Sequence, residues 1–232
     1  CKTSNLKKTK AWKEYEKEKD QVVNGAPFKR NGAGKAEEID VLEAYSDFIE
    51  KIDEDEHPSA HKNKMVMHAK STEVIEDNSI APAYEYDARN DVIRYNRKAP
   101  FFDEYDMDYA FAHELSHRMD QLEYNSWTNE RFLEAIDICS KKIYSNRKQI
   151  QKWFDEDGKH ENSFALSDII GILSDGKVSV PIGHTKGYLK KNPIHGPMEI
   201  FANLSSIDVL GLDEREEVIK ELFEAYEEII KW

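Results

Sequence analysis

A short segment near the middle of the chain carries the residue types of a metal-dependent hydrolytic site. His113 and His117 flank Glu114 in the order His-Glu-x-x-His. On an α-helix the two imidazoles lie one turn apart on one face, where both can bind one metal ion. Catalytic zinc takes three nitrogen or carboxylate ligands and one water. The pattern therefore predicts a Zn²⁺ site with Glu114 as general base, and two ordinary histidines on a surface helix are the alternative.

The third protein ligand must come from another part of the chain, and Glu199 is the candidate. It stands at the start of an otherwise apolar segment, where a buried carboxylate without a partner would be costly. A metal ion would compensate its charge. The alternative is an acid near a helix N-terminus that accepts hydrogen bonds from free backbone N–H groups.

The elements that must position these residues are mostly helical. Apolar residues at three- and four-residue spacing predict helices over 39–52, 103–122, 128–154, 163–173 and 198–210, with a last helix after a capping box at Asp213 and Glu216. In the segment 103–122, one apolar stripe faces away from the two histidines. The helix over 39–52 is expected to pack on the main domain.

A β-hairpin is predicted upstream of the His-Glu-x-x-His segment. The runs 84–86 and 92–95 flank the turn formers of 87–91, and the edge strand could pair with an extended peptide. The sequence thus predicts an α+β fold with a small twisted sheet, an active-site helix across it and a mainly helical C-terminal half. Residues 1–55 are expected to form a charged helical arm and a packing helix, followed by one domain over 56–232.

Composition excludes several classes of protein. The chain has 232 residues with 33 Lys+Arg and 46 Asp+Glu, so a net charge of −13 disfavours nucleic-acid binding. Two cysteines, Cys1 and Cys139, cannot build a disulfide framework, and Cys139 is expected to be a small buried apolar residue. There is no signal peptide or transmembrane run, so no membrane partner is expected. The first residue is not Met, which suggests a fragment or a processed product.

Four stretches together resemble a known family. They are 113–120, Glu123-x-x-Ser126-Trp127-x-Asn129-Glu130-x-Phe132, Gly183-His184-Thr185-x-x-Tyr188 and Glu199-Ile200-Phe201-Ala202-Asn203. Over roughly residues 60–210 the chain is similar to the zincin-type C-terminal domain of phage and prophage minor head proteins. It is more distantly similar to peptidases of the anthrax-lethal-factor type.

The resemblance implies a zincin-like metallopeptidase fold over 56–232 and zinc bound by His113, His117 and Glu199. It implies Glu114 as general base and a peptide or protein as substrate. Phage head proteins are the implied partners, and a phage-derived chain would be virion-associated or cytoplasmic.

Four further residues are candidates for supporting roles. Tyr188 or His184 could donate a hydrogen bond to the oxyanion of a tetrahedral intermediate, and His184 could instead bind the metal. Zincins with a glutamate ligand often place an aspartate four residues later to orient a metal-bound histidine, whereas this chain has Asn203. Asp120, just beyond His117, is the other candidate for that role, or else a solvated acid at a helix end. The other histidines, His57, His61, His68, His160 and His195, are expected to have no role.

The sequence favours a zinc-dependent endopeptidase and leaves two alternatives. One is a structural or interaction module of the phage head that keeps the fold without turnover, and the other is a toxin-like effector peptidase. Glu114 favours an enzyme, because zinc binding alone does not require a base at that position.

Overall fold

The structure is a computed structural model that describes residues 40–55, 58–100, 102, 106–155 and 163–231. The charged arm expected before residue 40 lies outside the described residues. The helices and strands, in chain order, are α1 (Val41–Asp53), α2 (Ala60–Ser71), β1 (Glu73–Glu76), β2 (Tyr84–Asp87), β3 (Val92–Tyr95), α3 (Met107–Met119), α4 (Glu130–Asp155), α5 (Phe164–Leu173), α6 (Lys186–Lys191), α7 (His195–Leu210) and α8 (Lys220–Ile230). No helix of the described residues is both long and apolar enough to span a bilayer.

The sheet has three strands in the order β1-β3-β2. β2 and β3 form the predicted hairpin, with Tyr84 opposite Tyr95 and Asp87 opposite Val92. β1 pairs with β3 in parallel, so β2 keeps one edge without a strand neighbour among the described residues. The small sheet with many helices confirms the α+β prediction.

Two apolar cores meet at the His-Glu-x-x-His helix, α3. One core joins α1, α2 and the sheet to Phe111, Leu115 and Met119, all fully buried. The other lies among α4, α5, α7 and α8 and includes Cys139, which is buried as expected. Because α3 packs along α7, one helix brings the two histidines and the other brings Glu199.

Local sequence explains where α3 and α7 begin and end. The Asp106 side chain caps α3 by accepting the Tyr109 N–H. The helix therefore begins at Met107, four residues later than predicted. α3 runs into a single π-helical turn, Asp120–Tyr124, which ends at Asn125 in the left-handed conformation (φ 50°). α7 ends at Gly211 with a φ of 64°, where glycine has no steric cost.

The prediction of a capping box for the last helix was wrong. A 3₁₀ turn, Glu217–Ile219, precedes α8, and no side chain caps the N-terminus of α8. The nearby Glu214 instead accepts the Leu166 N–H in the first turn of α5. The Glu214 carboxylate thus stabilises the N-terminus of α5 and does not cap α8.

His61 is a buried structural residue, contrary to expectation. It lies on α2 with its Nδ1 3.0 Å from the Tyr124 hydroxyl and its Nε2 2.7 Å from the Ser205 hydroxyl. Ser205 in turn bonds Ser116 at 2.7 Å, so this chain of polar groups joins α2, α7 and α3. Burial lowers the pKa of His61 to about 3, because a buried imidazole is held in its neutral form.

We expect this histidine to make stability depend on pH. The unfolded chain binds a proton on His61 below about pH 6.5, whereas the folded chain does not until about pH 3. The stability that the neutral imidazole contributes is therefore lost as pH falls through that window. In urea unfolding between pH 7.5 and 4.5, the difference in free energy of unfolding between wild type and His61→Gln should shrink by up to ~1.4 kcal/mol per pH unit. A difference that stays constant would contradict this assignment.

Candidate metal centre

His113, His117 and Glu199 converge on one point between α3 and α7. The Nε2 atoms of His113 and His117 lie 3.1 Å apart, and they lie 3.1 and 3.2 Å from Glu199 Oε2. Ligand atoms about 2.0–2.1 Å from a tetrahedral zinc ion are roughly 3.3–3.4 Å from one another. The distances between these three ligand atoms are therefore close to those around a tetrahedral zinc ion. The three residues could hold a metal ion.

Glu199 occupies a position that does not suit the alternative role at a helix N-terminus. It is the fifth residue of α7, and the first turn of that helix contains no acid. The residue is 2% exposed, and its carboxylate contacts the imidazoles of His113 and His117 and the hydroxyl of Tyr188. A buried charge with these partners is typical of a metal ligand rather than of a cap.

Opposite charges face one another in this site. Burial opposes a proton on His117, but the charge and hydrogen bond of Glu199 outweigh it and raise the pKa of His117 to about 9. Burial alone would raise the pKa of Glu199, yet the facing His117 and His184 hold it well below its usual range. A metal ion bound here would compete with protons for the imidazole nitrogens that face this carboxylate.

Glu114 lies beside both the histidines and the sheet. Its Oε2 accepts the backbone N–H of Tyr86 at 2.7 Å, and the residue is 9% exposed. Tyr86 belongs to β2, and its N–H points away from β3, at the edge where the described residues supply no neighbouring strand. The carboxylate is thus fixed at the open edge of the sheet, next to the histidines of the same helix.

Tyr188 and His184 both reach the carboxylate of Glu199. The Tyr188 hydroxyl donates to Oε1 at 2.7 Å, and His184 Nε2 lies 3.5 Å from Oε2. Tyr188 is held by the Thr185 side chain, which caps α6, and by ring stacking on His184 and His195. His195, which was expected to have no role, also places its Nδ1 3.1 Å from the Tyr188 carbonyl oxygen.

The side chains expected to orient His113 or His117 have other contacts. The Asn203 side-chain oxygen accepts the Tyr109 hydroxyl, and its NH₂ group donates to Asp168 and to the Glu199 carbonyl oxygen. Asp120 accepts the N–H and the hydroxyl of Ser126, each at 2.7 Å, and so stabilises the turn after α3. Neither side chain hydrogen-bonds His113 or His117 within the part of the chain that the structure describes, where His113 Nδ1 is buried without a hydrogen-bond partner.

Asp168 is the residue of this region that sequence reasoning missed. It is 4% exposed on α5, and its Oδ2 lies 2.9 Å from His184 Nδ1. The sequence did contain a signal for it: Asp168 is the one charged residue in the apolar helix FALSDIIGIL. The cost of a buried carboxylate, which pointed to Glu199, applies equally to Asp168.

The chain matches no protein-family model, and no significant match was found among curated proteins or among solved structures.

Proposed function

We propose that this chain is a zinc-dependent endopeptidase with a zincin-like fold. The observation that carries the proposal is the near-equilateral triangle of His113 Nε2, His117 Nε2 and Glu199 Oε2, with Glu114 beside it on the same helix. Three protein ligands leave one position of a tetrahedral zinc ion for water or substrate, as catalytic zinc requires.

Glu114 is proposed as the general base. When bound, zinc would polarise the scissile carbonyl and lower the pKa of the attacking water. Glu114 takes a proton from that water as the new C–O bond forms, and it passes the proton to the nitrogen as the C–N bond breaks. Tyr188 donates its hydroxyl hydrogen to the carbonyl oxygen as negative charge develops there.

The open edge of β2 is proposed to bind the substrate backbone. An extended peptide along this edge would run past Tyr86 and hence past Glu114; because Glu114 accepts the Tyr86 N–H, the peptide would pair with the other outward-facing main-chain groups of β2. Main-chain hydrogen bonds would give affinity with little dependence on sequence, so we propose a peptide or an unfolded protein segment as the substrate class.

A peptide-library digest tests the proposal. We expect the protein loaded with equimolar Zn²⁺ to cleave peptides, a chelator to stop the reaction and added zinc to restore it. If the wild-type protein binds zinc but leaves every peptide intact, the endopeptidase proposal is wrong and a structural module of the phage-head type is favoured.

A further inference from the structure

A cavity of about 120 Å³ opens between the C-terminal end of α5 and α6. Much of its wall is apolar or lacks a side chain, as at Gly171, Gly176, Val180 and Leu189. Because a cavity of ~150 Å³ accepts a benzene molecule, this one has room for a single side chain of moderate size.

One imidazole ring separates this cavity from the metal centre. His184 lines the cavity, and its Nε2 lies 3.5 Å from Glu199 Oε2. Asp168 fixes this part of the wall, since its Oδ1 accepts the backbone N–H of His184 at 2.7 Å and its Oδ2 lies 2.9 Å from His184 Nδ1. Tyr188, whose hydroxyl bonds Glu199, is followed in α6 by Leu189 of the cavity wall. Successive residues of an extended peptide are ~3.3 Å apart, so a residue beside the scissile bond can place its side chain in the cavity.

Lys186 brings a positive charge to the cavity. Its side chain lies across Gly176, which has a φ of 60° and where a Cβ atom would clash with Lys186 Cε. Lys186 is half-buried, and no carboxylate of the described residues lies within 4.0 Å of its Nζ. An ammonium group that is partly withdrawn from water without a carboxylate partner favours a ligand that supplies one.

The charge of the cavity wall differs between its two ends. Among the described residues that line the cavity, Asp175 is the one acid; it is exposed and also lines an open groove along α4, beside Tyr144, which Lys186 does not reach. By contrast, α6 carries Lys186, Lys190 and Lys191, and none of them forms an ion pair within the part of the chain that the structure describes. In a chain of net charge −13, the end of the cavity next to the metal centre is therefore locally basic.

We propose that this cavity is a substrate subsite that takes an acidic side chain, glutamate above all, at a position beside the scissile bond. The proposal rests on the proposed endopeptidase function and narrows its substrate class. The methylene groups of the glutamate pack on Val180 and Leu189, and its carboxylate pairs with Lys186 Nζ. Aspartate is shorter by one methylene group, so we expect it to be selected less strongly.

Digestion of a mixed peptide library by the zinc-loaded protein tests the subsite, with the new termini sequenced by mass spectrometry. At one position beside the cut, we expect glutamate to exceed the isosteric glutamine in kcat/KM by about 10-fold, the effect of one charge-assisted hydrogen bond. Lys186→Gln should abolish this preference, and Lys186→Glu should reverse it in favour of lysine. Lys190→Gln is the matched control and should keep the preference, because it removes the same charge from an exposed residue of α6 that does not line the cavity.

Selection without turnover is measured by passing the same library over immobilised, zinc-loaded Glu114→Gln protein. We expect glutamate peptides to be retained over their glutamine counterparts. Addition of Lys186→Glu to this protein should shift retention to lysine peptides.

Two results would overturn the subsite. One is equal retention of glutamate and glutamine peptides, or equal cleavage of those that are cut, by protein that carries Lys186; this comparison needs no Lys186 variant to fold. The other is an unchanged preference for glutamate in Lys186→Glu. Either result with efficient cleavage leaves the endopeptidase function standing. A wild-type protein that binds zinc and cleaves no peptide refutes that function, and the retention measurement still decides the subsite.

Discussion

Glu114→Gln is expected to retain zinc and fold but to lower kcat on the order of 10²–10⁴-fold, because an amide cannot accept the proton of the attacking water. The amide oxygen can still accept the Tyr86 N–H that Glu114 now accepts at 2.7 Å. The hairpin and α3 should therefore stay in place. The measurement is peptide turnover with zinc content and a thermal melt on the same sample.

Glu85→Gln is the matched control for this variant. Glu85 neighbours Tyr86 on β2, but its carboxylate pairs with Arg94 on β3. Its replacement removes an equal charge near the site without removing the base, so turnover should stay close to wild type. Wild-type turnover by Glu114→Gln would exclude Glu114 as the base.

Tyr188→Phe is expected to lower kcat on the order of 10²-fold, as the loss of one oxyanion donor typically does. An ordinary hydroxyl hydrogen bond is worth only about 1 kcal/mol, so the size of the effect separates a catalytic donor from a packing residue. The hydroxyl lies 2.7 Å from Glu199 Oε1, so it could serve as the oxyanion donor or could hold the Glu199 carboxylate in place.

Zinc affinity decides between the two roles of Tyr188. If the hydroxyl serves mainly to hold Glu199, its loss should weaken zinc binding by about 10–100-fold and leave kcat of the fully loaded enzyme unchanged. That outcome would contradict the oxyanion role. Tyr144→Phe is the control, because Tyr144 is 55% exposed on α4 and far along the chain from these residues.

The residues of the site differ in how far the sequence could predict them. The pair His113 and His117 follows from helix periodicity, because four residues make about one turn wherever the helix lies in the fold. Glu199 follows from the cost of a carboxylate in an apolar segment. That argument selects the residue but not its partners, which lie 86 and 82 positions earlier in the chain.

The polar contacts around the site could not be predicted in this way. Asn203 bonds Tyr109, 94 positions away, and Asp168, 35 positions away, so its role depends on how α3, α5 and α7 pack. The same holds for His61, which bonds Ser205, 144 positions away, across the core. A spacing rule describes one helix, whereas these contacts are set by tertiary structure.

Zinc analysis of the purified protein tests the central claim most directly. We predict about one zinc ion per chain in wild type, its loss in His113→Ala and in Glu199→Ala, and its retention in His68→Ala. His68 is the control because it bonds Glu123 and Arg118 and is no part of the three-ligand group. Full zinc content in both His113→Ala and Glu199→Ala, or no zinc bound by the wild-type protein, would contradict the metal centre.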